Sequence, residues 1–233
     1  MPVDPETIAK VARLTEVLRA PQQMLATFGH TTVDYFILSE PAYADVPLSP
    51  EETVIRQGKV MAERPQIVTP YYLLSLFRGF EHGQEYARYL VQEHGPNSPG
   101  LMYSYRNELQ ETSVVSDPLP AVAERLAADL DERQQHLAAV IRGVDHLWDI
   151  SLMKFIHELT VSSLGHNLME LGRRGLLGSE RGLPRAARAK IEEMFAAVGR
   201  GELAAQELKA ELDRWGVFEE YEDRFLGLFR RRG

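Results

Sequence analysis

VDHLWDISLMKFIHELTVSSLGHNLMEL, residues 144–171, is the longest proline-free run with helical apolar spacing, and it carries three of the seven histidines. At 3.6 residues per turn, His146, Asp149, Ile150, Met153, His157, Thr160, Leu164 and Leu168 share one face. Phe155, Ser162, His166 and Glu170 lie opposite. Apolar groups on both sides, with polar groups inside the main stripe, predict a central helix covered by its neighbours. The rest of the fold is organised around it.

Upstream, Leu119, Val122, Leu126, Leu130, Leu137 and Ile141 form a stripe that predicts a helix of about six turns. Gly143 separates it from the hub, so the two are expected to pack as an antiparallel pair. Downstream, residues 172–184 are a glycine-rich connection. Three further helices are expected over 185–198, 202–215 and 219–231, divided by glycines.

The first half reads differently. Asp4-Pro5-Glu6 is a helix start: a capping acid, a first-turn proline and an acid at the positive dipole end. Ile8, Val11, Thr15 and Leu18 make that helix's inner stripe, and a second short helical piece is expected to end at Gly29. Residues 31–38, TTVDYFIL, are β-branched and aromatic and predict a strand. Residues 53–69 read narrowly as two strands turning at Gln57-Gly58. The alternative is a helix begun by the capping box Ser49-Pro50-Glu51-Glu52. Helices follow from Thr69-Pro70 and over 81–94. A second hairpin is expected from 101–105 and 111–115, turning near Asn107. The fold class expected is α+β and mainly helical, with short antiparallel β-hairpins in the N-terminal half and an antiparallel helical bundle in the C-terminal half. Where strand signals stop, the chain divides into 1–116 and 117–233, or continues as a single domain.

With 44% apolar and 26% charged residues, the chain has the balance of a globular protein. A net charge of −8 argues against general nucleic-acid binding. There is no cysteine, hence no disulfide, thiolate metal site or cysteine nucleophile. MPVDPETIAK has no basic region followed by an apolar core, so no signal peptide is expected, and no apolar run predicts a transmembrane segment. The expected location is the cytoplasm.

Three constellations could carry chemistry. His146 and Asp149 are one turn apart and could share a divalent metal, with His157 about 12 Å further along the axis than Asp149. Position 161 is valine, so His157-Glu158 does not complete the zinc-protease helix motif. Histidines buried against carboxylates or carbonyls are common in cores, and that reading outweighs the metal one. The second constellation is aromatic: six of the nine tyrosines fall within residues 71–105, among Arg78, His82, Arg88, His94 and Arg106. Flat amphipathic rings beside planar guanidinium forks suit interfaces and pockets for acidic ligands, with Tyr103, Tyr105, Arg106 and Arg78 as the expected contacts. The third is the basic segment 173–190, where Arg173, Arg174 and Arg181 would meet an anion or RNA. It lacks the ending of a nucleotide P-loop and reads more simply as a basic linker at a helix C-terminus.

No assembled catalytic set is legible. The expected function is a cytoplasmic, non-catalytic binding or assembly module acting through the Tyr/Arg-rich surface, with a protein as partner, itself included, or a small-molecule ligand. The alternatives are a metal-dependent hydrolase built on the hub helix and anion or RNA binding through 173–190. No cofactor is specified beyond that divalent metal.

Overall fold

The computed structural model describes residues 4–42, 51–76, 88, 91–93, 95–96, 98–180 and 182–230. The chain divides into two compact units, Met1–Arg64 with Tyr103–Asn167 and Pro65–Met102 with Leu168–Gly233.

The first unit opens with α1 (Pro5–Leu14), capped as its first residues predict. Asp4 Oδ1 accepts from the Thr7 N–H at 2.9 Å, and Asp4 Oδ2 from the Thr7 hydroxyl at 2.7 Å. The unit's five-stranded sheet is built from β1 (Glu16–Arg19), β2 (Thr31–Ser39), β3 (Thr53–Ala62), β6 (Tyr105–Val115) and β7 (Ala138–Arg142), in the order β1-β7-β2-β3-β6. β7 runs parallel to β2, and the other neighbours are antiparallel. α3 (Leu119–Glu132) packs Leu119, Val122 and Leu130 against Leu38, Ala138 and Val140 on one face of the sheet. A single turn of tighter helix, Asp145–Leu147, leads into α4 (Trp148–Arg173), which lays Leu152 and Phe155 on Val33, Tyr35, Ile37 and Ile141 on the other face.

This mixed sheet replaces the expected hairpins and antiparallel bundle. The stripe 119–141 is not one helix: α3 ends at Glu132, and Ala138–Arg142 is a strand. Ala138, Ala139, Val140 and Ile141 are each 0% exposed, because β7 lies inside the sheet with a helix over each face. Such a strand is apolar on both sides and has no period of two. Leu137 and Ile141 fit the helical stripe only by their spacing. Gly143 therefore ends a strand. Its N–H donates to the Leu38 carbonyl at 2.8 Å, and a Cβ there would come within 2.9 Å of both Ile37 Cγ2 and Ser151 Oγ.

The hairpin turning at Gln57-Gly58 is also replaced. Residues 53–62 are one continuous strand, and β4 (Gln66–Val68) pairs with β5 (Gly100–Met102) instead. Likewise β6 runs unbroken through Asn107. Residues 16–19 form β1 in place of the expected continuation of the first helix, and residues 20–29 contain no helix in place of the expected second short piece.

The second unit contains the β4–β5 pair, α2 (Pro70–Leu76), the two-residue strands β8 (Ser179–Glu180) and β9 (Leu183–Pro184), and α5 (Arg185–Arg200), α6 (Ala205–Trp215) and α7 (Phe218–Arg230). Of the helix expected over 81–94, Arg88 and residues 91–93 are described, and they are helical. The C-terminal half is helical. α5 and α6 end at Gly201 (φ 78°) and Gly216 (φ 65°), left-handed caps that glycine adopts without strain. The core joins Tyr72, Ile191, Phe195, Leu208, Leu212, Trp215, Tyr221 and Phe225. Among the described residues no helix is long and apolar enough to cross a membrane.

Candidate functional site

The approach to β6 carries the residues of the aromatic constellation. Tyr103 and Tyr105 are two apart in extended chain, so their rings leave on one side. They stack with centroids 6.4 Å apart and planes 11° from parallel. α4 supplies their polar anchors. The Tyr105 hydroxyl bonds Thr160 Oγ1, which donates to the Ile156 carbonyl. Asn167 Nδ2 donates to the Tyr103 hydroxyl at 3.1 Å, and the Thr27 hydroxyl donates to Asn167 Oδ1 at 3.1 Å. Between them, Ser163 Oγ accepts from the Leu25 N–H at 3.0 Å. Thr160, Ser163 and Asn167, at i, i+3 and i+7, form one polar row on the inward face of α4.

Burial pushes the Tyr103 and Tyr105 hydroxyls above the ordinary phenol range, against the lowering effect of their bonds to Asn167 and Thr160. Both stay neutral phenols at physiological pH. Asn167→Ala unpairs the Thr27 and Tyr103 hydroxyls and is expected to lower stability by about 1–2 kcal/mol. Tyr105→Phe is expected to cost about 1 kcal/mol or less, since Thr160 keeps its carbonyl acceptor, and urea unfolding measures both losses.

Arg106 follows directly but points to the opposite face of the sheet. It is exposed, and among the described residues its guanidinium meets Met61 Sδ at 3.6 Å. Asn107 returns to the tyrosine side, where its Oδ1 accepts from the Tyr35 hydroxyl at 2.9 Å. The three named contacts therefore meet at the start of one strand, on both sides of its edge. Arg78, with His82, Tyr86, Tyr89 and His94, lies outside the described residues. Tyr72 belongs to the second unit's core, its ring centroid 4.5 Å from that of Trp215 with the planes tilted by 44°.

The histidine stripe of the hub helix faces outward. His146, Asp149 and His157 are all exposed, and Met153 between them is 57% exposed. Of the stripe Ile150 is buried, and the other buried residues of α4 are Ser151, Leu152, Phe155, Ser163, Asn167 and Leu171. Among the described residues no group of three His, Cys, Asp or Glu is gathered to hold a metal ion. Of the basic segment, Arg173 and Arg174 are exposed at the end of α4, and Arg181 lies outside the described residues. Arg188 binds Glu220 and the Tyr221 hydroxyl, each at 2.9 Å, and Lys190 binds Glu211 at 3.1 Å. Arg188 thus joins α5 to α7, and Lys190 joins α5 to α6, within the second unit.

Reading the sequence missed two polar clusters. Beyond the C-terminal ends of the parallel strands β2 and β7, Asp145 takes the Arg56 guanidinium at 2.7 Å, the Ser39 hydroxyl at 3.3 Å and the Ala42 N–H at 3.0 Å. Burial alone would raise the Asp145 carboxyl, but the Ala42 N–H and the Arg56 charge outweigh it and hold it low. With its oxygens occupied, Asp145 acts as a latch between β2, β3 and the entry to α4. The other cluster is centred on Glu211. The Thr160, Ser163 and Asn167 row was missed as well: its helical spacing is a local signal, but its partners are 55 to 140 positions away. Comparison of the chain with protein-family models, with curated proteins and with solved structures finds no match.

Proposed function

We propose that the chain is a cytoplasmic, non-catalytic binding module that engages a protein partner through Tyr103, Tyr105 and Arg106. The observation that supports it is the juxtaposition at the head of β6. Two half-buried rings are stacked and tethered through their hydroxyls on one face of the strand, and an exposed guanidinium stands on the other face. Rigid aromatic platforms with an adjacent arginine are the side chains that contribute most to protein interfaces, because they bring large area with little ordering cost. The neutral phenols, bonded to Thr160 and Asn167, suit recognition better than proton transfer. The absence of cysteine suits a reducing compartment.

A photoreactive benzoylphenylalanine replacing Arg106 tests the surface in living cells. It is expected to give a discrete cross-linked species that weakens when Tyr105→Ala is added. The same probe replacing Glu124, exposed on α3, is expected to give none. Equal cross-linking from both positions, or none from position 106, would remove the proposed surface.

A further inference from the structure

We infer that the open edge of β6 pairs antiparallel with β6 of a second copy of this chain, about a two-fold axis at Asn107. This rests on the reading of the Tyr103–Tyr105–Arg106 surface as a binding surface, and names its partner.

The two edges of the sheet differ. β1 is four residues long and irregular in register between Val17 and Arg19, and the Arg19 guanidinium is tied to Asp131 and to the Ala138 and Gln135 carbonyls. β6 is eleven residues long, pairs with β3 on one side and has no strand on the other among the described residues. Residues 106–112 are all exposed. An open edge is a row of unpaired N–H and C=O groups, commonly shielded by proline, lysine or a bulge. Residues 105–115 contain neither proline nor lysine, and the register shift falls opposite Gln57/Gly58, leaving Tyr105–Leu109 as a regular five-residue run.

That run, Tyr-Arg-Asn-Glu-Leu, is complementary to itself when reversed. Centred on Asn107, it sets Arg106 against Glu108 of the second copy twice on one face. On the other face it sets Tyr105 against Leu109 twice, around a central Asn107 pair. Leu109 is 44% exposed and gains a ring to cover it. Centring on Arg106 or on Glu108 instead puts like charges directly opposite, which is destabilising. Centring between residues sends facing side chains to opposite faces. The register is therefore selected by charge. The backbone agrees: the Glu108 carbonyl is turned towards Gly58 of β3, so by strand alternation Asn107 offers its N–H and C=O to the open edge. The product is one sheet continuous through both copies, and Arg106 and Tyr105, on opposite faces, both contribute to it.

Sedimentation of the full chain over about 1–100 μM tests this. The wild-type chain is expected to be a reversible dimer. Arg106→Glu and Glu108→Arg, each alone, turn both cross-strand charge pairs repulsive and are expected to weaken dimerisation about tenfold or more. The double charge swap is expected to restore it, and an equimolar mixture of the two single variants to form a mixed dimer. Both positions are exposed, so the variants are expected to keep the wild-type circular dichroism and melting temperature. A wild-type chain that stays monomeric, or single variants that dimerise as well as wild type, would overturn the inference. If the wild-type chain stays monomeric while the probe at position 106 still captures another protein, the binding surface stands and self-pairing does not. If there is neither dimer nor cross-link, both are lost.

Discussion

Replacing Gly58 by alanine is expected to destabilise the first unit by about 3 kcal/mol, the high end for overpacking a core. A Cβ on Gly58 would lie 2.6 Å from the Glu108 carbonyl oxygen and 2.6 Å from Tyr35 Cζ. Neither neighbour yields easily. The carbonyl belongs to the β3–β6 ladder, and Tyr35 is 0% exposed, crossing Gly58 to reach Asn107 on β6. Glycine inside a strand often marks such an approach. Urea unfolding measures the loss. In the double variant Tyr35→Leu/Gly58→Ala, the costs are expected to add to less than the sum, because removing the phenol relieves part of the same clash. A Gly58→Ala chain within about 0.5 kcal/mol of wild type would show instead that β3 and β6 shift apart freely. The same displacement moves Glu108 and Asn107, so the variant is also expected to weaken the association argued from that edge.

Glu211→Ala is expected to cost the second unit about 3 kcal/mol. The residue is 2% exposed, and its carboxylate accepts from Lys190 Nζ at 3.1 Å, Arg214 Nη1 at 3.0 Å, Trp215 Nε1 at 3.2 Å and the Tyr72 hydroxyl at 3.3 Å. Lys190 and Arg214 keep 30% and 43% of their side-chain exposure, so water takes them over when the carboxylate goes. Trp215 is buried and its indole N–H is left without that acceptor, and Tyr72 loses one of its contacts, which is where most of the cost arises.

The network also carries a pH dependence. Burial by itself would raise the Glu211 carboxyl, but Lys190, then Trp215 and Arg214, overcome that and hold it below its ordinary 4.5. A carboxylate depressed by folding contributes stability that is complete above the ordinary value and is lost as pH falls below it, through the folded value. In Glu211→Gln that part of the acid dependence is expected to vanish. The chain has two tryptophans, Trp148 in the first unit and Trp215 in the second. On a Trp148→Phe background, Trp215 fluorescence follows the second unit alone. An unchanged acid titration in Glu211→Gln would show that other carboxylates set it.

Features encoded by near neighbours were legible. The Asp4 cap with Pro5, the strand over 31–38, the long helix through 148–171 and the three glycine-divided C-terminal helices each follow from residues within a turn or two of one another. The tyrosine concentration was visible too, and Tyr103 with Tyr105 proved to be its stacked pair. Their tethers were not visible, because Thr160 and Asn167 reach them across 55 and 64 positions.

By itself the sequence determined where the capped first helix begins and where the helices closed by Gly201 and Gly216 stop, since caps and left-handed glycines act over a few residues. Tertiary structure decided what those elements do to each other. Residues 138–141 are a strand because β1, β2 and two covering helices surround them, which no periodicity announces. Helix α4 has apolar residues on both sides, so only the sheet it covers could select Leu152 and Phe155 as its inner side and leave Met153 and His157 outside. Gly58 looked like a turn until the ring of Tyr35 took the space its missing side chain leaves. In each case the deciding contact lies far along the chain, and burial against that partner outweighs the weaker local preference.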